Sequence, residues 1–147
     1  MPETVHIYIE TDSTSPRTMV RNYGYVLECI RLGRPKTRAG FGQAEGSWNK
    51  VVLQAILEAV KRLNRSCEVY IHTRNEYIRC MLENNLEHWA AAGFMGSKGK
   101  PVANREEWEQ LWRLGQEHLL LTEPSGAGRH TYSRWLLDEM GRRETNV

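Results

Sequence analysis

The sequence predicts an α/β fold with a mixed five-stranded sheet and helices on both faces, in the order βββαβααβα. Three observations carry this. The first 45 residues hold three segments rich in β-forming residues separated by turn clusters, the pattern of an antiparallel meander. A broadly apolar helical segment follows and leads at once into a short apolar strand, the spacing of a parallel crossover. Two further helical patterns, a last apolar strand and a closing helix complete the chain.

Each element has its own signal. Residues 5–10 alternate, with Val5, Ile7 and Ile9 on one side, and read as a strand. Asp12, Ser13, Thr14, Ser15 and Pro16 form a turn cluster. Residues 23–30 read as the second strand, Gly33-Arg34-Pro35 as a turn, and 36–43 as a short third strand. Ser47 is placed to cap a helix whose apolar positions Val52, Ile56, Ala59 and Leu63 share a face, widened by Leu53, Leu57 and Val60. Residues 67–72 form the fourth strand, with Val69 and Ile71 inward. Asn75 can cap a helix through Met81 and Leu82 that reaches towards His88. Residues 93–101 are a glycine-rich loop, Asn104 is placed to cap a helix over 105–117, and 118–121 is the last strand. Residues 123–128 are a loop and 130–140 the closing helix, with Trp135, Leu136 and Met140 apolar. One domain over 1–141 is expected, with 142–147 a disordered tail.

The chain has 147 residues, 40% hydrophobic and 26% charged, enough for one domain with a sizeable core. No apolar run is long enough to span a membrane, and the N-terminus lacks the basic-then-apolar pattern of a secretory signal; a cytoplasmic location and no membrane partner are expected. Cys29, Cys67 and Cys80 are odd in number and widely spaced, which suits reduced thiols. Net charge is +2, too small to demand a polyanion, but Arg17, Arg21, Arg31, Arg34, Lys36 and Arg38 face one acid, Glu28, in the same stretch. Gathered on one side of a hairpin these would attract phosphate; spread along an edge they would block strand addition.

The segments VHIY at 5–8, Tyr23-Gly24-Tyr25, LQAILEAVKRL at 53–63, CEVYIHT at 67–73, Trp89, Gly93, GKPVAN at 99–104 and Glu107-Trp108 together resemble type 1 ribonuclease H. The resemblance covers nearly the whole chain to Met140. Ile9-Glu10-Thr11 and the late His130-Thr131-Tyr132-Ser133-Arg134-Trp135 look most like divergent ribonuclease-H-like proteins of bacterial mobile elements.

That resemblance implies a ribonuclease H-like fold and a site of four carboxylates around two divalent ions, which activate water and hold the scissile phosphate. Carried onto this chain, the first acid falls on Glu10, or on Asp12 if two residues are inserted. The second falls on Val52 and the third on Arg74. The fourth falls at Leu137, with Asp138 adjacent. His130 stands where the family has a loop histidine that assists product release. Glu10, Asp12, Asp138 and His130 are therefore the catalytic remnants, and Glu10 and Asp12 the metal ligands if a metal binds. Arg74 fits a phosphate bidentately, or pairs with Glu10 or Asp12. Arg74, Lys98, Lys100, Asn49 and Trp89 are the expected nucleic-acid contacts, although Trp89 and Phe94 also suit a core.

Three functions follow. The first is a degenerate ribonuclease H-like pseudoenzyme that binds an RNA–DNA hybrid or duplex, or a partner that handles it, with no cofactor. The second is an active hybrid endonuclease with Mg2+ or Mn2+, using displaced carboxylates among Glu10, Asp12, Glu45, Glu76 and Asp138. The third is a protein-interaction module.

Overall fold

A computed structural model describes residues 3–123 and 130–145. Five strands, β1 (Glu3–Thr11), β2 (Met19–Arg31), β3 (Arg34–Gly46), β4 (Cys67–His72) and β5 (Leu119–Thr122), form one sheet in the order β3-β2-β1-β4-β5. The helices are α1 (Trp48–Lys61), α2 (Glu76–Asn84), α3 (Leu86–Ala91), α4 (Arg105–Gly115) and α5 (Thr131–Thr145). β1, β2 and β3 pair antiparallel, whereas β1–β4 and β4–β5 pair parallel. This is the predicted α/β architecture with a mixed five-stranded sheet.

The alternation of β1 sorts its residues between two layers. Val5, Ile7 and Ile9 point to one face, where α1 lays down Val52, Leu53, Ile56, Ala59 and Val60 and α4 adds Trp108 and Leu111. His6, Tyr8 and Glu10 point to the other. There α5 packs Leu136 and Met140 against Tyr8 and Val26. Three sheet glycines admit close neighbours; at Gly40 a Cβ would stand 2.3 Å from the buried Tyr25 hydroxyl.

Ser47 and Asn75 cap α1 and α2 as expected, accepting from the Lys50 and Ile78 amides at 3.2 and 3.0 Å. Asn104 does not: it is left-handed, with φ 60°, and makes no side-chain cap, so it ends the preceding loop by its backbone conformation. The single helix expected from Asn75 towards His88 is two, α2 and α3, because the chain turns at Asn85, whose side chain caps nothing. The hairpin strands are much longer than the alternation suggested, thirteen residues each, since backbone pairing continues where the side chains are polar. The closing helix likewise continues to Thr145, so residues 142–145 belong to α5 rather than to a tail; 146–147 lie outside the described residues, as does most of the loop expected over 123–128. The three cysteines are free. Among the described residues no helix is long and apolar enough to cross a membrane.

Candidate functional site

Strand register assembles the site. In the parallel ladder Tyr8 stands opposite His72, so two residues further along each strand Glu10 arrives beside Arg74. Glu10 is only 3% exposed. Its carboxylate accepts from Arg74 Nε at 2.9 and 3.2 Å, and Arg74 Nη2 lies 2.8 Å from it. The Arg74 side chain is 38% exposed, so one partner is sealed in and the other reaches solvent. Burial pushes the Glu10 pKa above its ordinary value; Arg74 and then the nearby Ser133 hydroxyl pull it back only in part.

The surroundings are fixed by local bonds. Thr73, buried, accepts from the Asn75 amide at 3.1 Å. Asn75, capping α2, also donates from Nδ2 to Asn49 Oδ1 at 2.9 Å, tying the first turn of α1 to the start of α2. On the opposite flank Arg21 is 1% exposed and donates to the carbonyls of Ser13, Arg17 and Gly46 at 2.9, 2.6 and 3.2 Å. It straps the turn after β1 to the end of β3. Thr11 closes the same turn by donating to the Ser13 carbonyl at 2.9 Å. Sequence reasoning gave no sign of this strap: Arg21 precedes the strand expected over 23–30 and reads there as one of a group of surface cations.

Of the four carried-over acid positions, one holds a carboxylate. The first is Glu10. Asp12 is exposed and engaged elsewhere, accepting from the Asn22 amide and side chain at 3.1 and 2.9 Å, so it does not replace Glu10. Val52 is 1% exposed and sits in the core. Arg74 is the third. The fourth lies on α5. Leu137 packs beside the small cluster under α5 and Asp138 is exposed. The α5 residue turned to Glu10 is Ser133, fully buried, with a hydroxyl near that carboxyl but in no hydrogen bond of ordinary geometry. A signal existed: Ser133, Leu136 and Met140 share the i, i+3, i+7 stripe of the helix, and Asp138 lies off it.

This donor set does not fit a pair of divalent ions. Magnesium sites use carboxylate, carbonyl and water oxygens; here the one carboxylate is already occupied by a guanidinium, with a serine near it, and Val52 offers no oxygen. Among the described residues no three His, Cys, Asp or Glu side chains are placed to hold a metal.

The remaining expected contacts divide. Lys98 and Lys100 are exposed in the loop before α4. Trp89 packs edge-on to the buried Trp108, ring centroids 5.3 Å apart, and is a core-edge residue. His130 accepts from the Tyr132 amide at 3.1 Å and stacks on Tyr8 at 4.3 Å.

Tyr8 belongs to a row of rings that sequence reasoning did not identify. His72 stacks on it at 4.3 Å, and His6 Nδ1 lies 2.9 Å from His72 Nε2. Burial first, then His6 and His130, push the His72 pKa down to about 4. The unfolded chain binds the proton near the ordinary pKa of about 6.5, the folded chain only near 4, so stability is full above that upper value and falls as pH drops through the interval. Urea midpoints should therefore decrease between pH 7 and pH 5 by roughly 1–2 kcal/mol of stability, allowing for partial exposure of the ring. His72→Phe, which keeps a ring on Tyr8, should flatten that dependence. An unchanged slope would assign the acid sensitivity to other groups.

Comparison with known proteins gives a consistent picture. Residues 2–122 match the model of the RNase H family. A ribonuclease H of Xanthomonas campestris pv. campestris (strain 8004) is 36% identical over 86 residues, 58% of this chain and 57% of that protein. One from Campylobacter curvus (strain 525.92) is 33% identical over 96 residues, 65% and 62% of the two chains. The chain thus spans less than two thirds of the length of these relatives. Among solved structures, LC9-RNase H1, described as a type 1 RNase H with the type 2 active-site motif, superposes with a TM-score of 0.72 at 15% identity, covering 95% of this chain and 71% of that one. The foamy viral protease-reverse transcriptase in complex with dsDNA gives 0.67 at 17% identity, covering 92% and 89%. These likenesses establish the shared fold.

Proposed function

We propose that this chain, which belongs to the RNase H family, holds the backbone of an RNA–DNA hybrid or duplex at the Glu10–Arg74 end of its sheet without performing two-metal hydrolysis. The observation that carries the reading is the Arg74 guanidinium on the buried Glu10 carboxylate. A fixed cation stands among the positions that the family fills with metal-binding acids, and its solvent-facing side retains donors for phosphate. A positive group can neutralise a phosphate but cannot activate water as a bound divalent ion does. Such a pseudoenzyme needs no metal and works where its nucleic acid is, which we place in the cytoplasm. The relatives' name, ribonuclease H, and the foamy viral structures solved with dsDNA and with an RNA/DNA hybrid support nucleic acid as the partner class.

Fluorescence anisotropy with a labelled hybrid tests this. Binding should weaken steeply with salt, each phosphate contact adding about −0.9 to the log–log slope. Lys98→Ala with Lys100→Ala should weaken binding and flatten the slope, and adding Arg74→Ala should weaken it further. Absence of binding to hybrid, duplex and single strand at low salt would overturn the reading.

A further inference from the structure

The cationic stretch around the first hairpin does not form one surface. Arg21 is buried as a strap at the Glu10 end, whereas Arg31, Lys36 and Arg38 lie at the opposite end of the sheet. There β2 and β3 stay paired to Arg31 and Arg34, two residues past the β1–β2 ladder, which ends at Val5 opposite Cys29. The register Arg31↔Arg34, Cys29↔Lys36 and Leu27↔Arg38 puts Arg31, Arg34, Lys36 and Arg38 on one face of the hairpin, the face that carries α1. Arg62 and Arg65, just past α1, approach from the other side and close a cleft of about 420 Å3.

Its charge is concentrated. Five cations (Arg31, Lys36, Arg38, Arg62 and Arg65) and one acid, Glu3, line the cleft, which therefore carries +4; the whole chain carries +2, so everything else sums to −2. Glu3 is shared between Arg31 at 2.8 Å and Arg65 at 3.6 Å, leaving Lys36 and Arg38 without a carboxylate inside the cleft. Like charges held this close oppose folding, and edge protection against strand pairing requires only the cations on β3, not the two brought in by α1 and the turn after it.

We propose that this cleft is a second nucleic-acid-binding surface, taking the phosphate backbone of a strand or duplex segment distinct from the one at Glu10–Arg74. Cations at i and i+2 along a strand repeat roughly every 6.7 Å, close to the separation of successive phosphates along a nucleic-acid strand, and guanidinium forks bind phosphate bidentately. Seven residue steps along β1 separate Glu3 from Glu10, a distance of roughly 23 Å, so one short backbone segment does not serve both ends. The surface is polar and open, without the deep apolar pocket that a peptide side chain would fill. The proposal rests on the nucleic-acid reading of the family site only for the class of partner.

The test uses the full chain and the triple variant Arg31→Ala, Lys36→Ala, Arg38→Ala, all surface residues, with folding checked by circular dichroism. Anisotropy is measured with a labelled hybrid and with labelled poly-glutamate over a salt series. The triple variant should bind hybrid at least tenfold more weakly at low salt, with the log–log slope reduced by roughly 2.7, three phosphate contacts at 0.9 each. It should do so equally in the Lys98→Ala, Lys100→Ala background. Unchanged affinity and slope in the triple variant, with binding lost on changing Arg74, Lys98 and Lys100, would overturn the cleft and leave the family site standing. Loss in the triple variant alone would uphold the cleft and overturn the family site. Capture of poly-glutamate through the cleft with no binding of hybrid would overturn nucleic acid as its ligand.

Discussion

Arg74→Ala should lower stability by roughly 2–3 kcal/mol. Removing one member of a buried ion pair typically costs about 3–5 kcal/mol because the other charge is stranded, and the partial exposure of Arg74 reduces that figure. For a chain of this length the loss corresponds to a fall in Tm of roughly 6–10 °C. The reciprocal change, Glu10→Gln, should cost less, because the freed guanidinium can turn to water whereas a stranded carboxylate cannot. The pH dependence separates this cause from lost packing. Burial holds the Glu10 pKa above its ordinary value, and removing Arg74 raises it further. A folded-state pKa above the unfolded one means that the native state retains the proton longer, so stability is lost as pH rises through the carboxylate range towards the folded value. Thermal scans of Arg74→Ala should therefore show a larger deficit at pH 8 than at pH 5. A deficit independent of pH would mean that the guanidinium acts as packing.

The second large effect is a gain of metal response. Arg74→Asp with Ser133→Asp places two acids beside Glu10 and avoids burying a carboxylate at Val52 in the core, which would itself cost several kcal/mol. Without metal this variant should be less stable than the parent, because like charges crowd one site. Magnesium should restore it, since a ligand at a hundred times its Kd adds about 2.7 kcal/mol. The parent should show no magnesium-dependent rise in Tm. By contrast, Val52→Glu with Arg74→Asp leaves Ser133 in place and should not cleave hybrid; robust cleavage by that pair would show that the α5 position is dispensable. A sub-millimolar magnesium response in the parent, abolished by Glu10→Gln, would contradict the reading of the site.

Much of this architecture was legible in the chain. Val5, Ile7 and Ile9 alternate because one face of β1 is buried under α1, and the breadth of the apolar face of α1 follows from its packing on the sheet. Ser47 and Asn75 announced their helices through cap chemistry that is local in sequence. What escaped depended on distant partners. Arg21 is buried because three carbonyls converge on its guanidinium, and no pattern along β2 records that. The split between α2 and α3 lacks a glycine or proline to mark it. Asn104 has the right residue type for a side-chain cap, but its left-handed backbone turns the side chain to no such use. At the site, Glu10 and Arg74 were readable as a pair from strand ends, but counting from His130 put the fourth position at Leu137, with Asp138 beside it. The helical stripe through Ser133, Leu136 and Met140 was the better guide.

On the proposed reading, the Glu10–Arg74 pair binds a nucleic-acid backbone without cutting it. The most direct test holds a doubly labelled RNA–DNA hybrid on the protein at low salt, adds magnesium and then manganese, and follows binding and strand integrity in the same sample. The hybrid should stay bound and intact, with RNA breakage no faster than in a control without protein. Metal-dependent cleavage that disappears in Glu10→Gln would contradict the account.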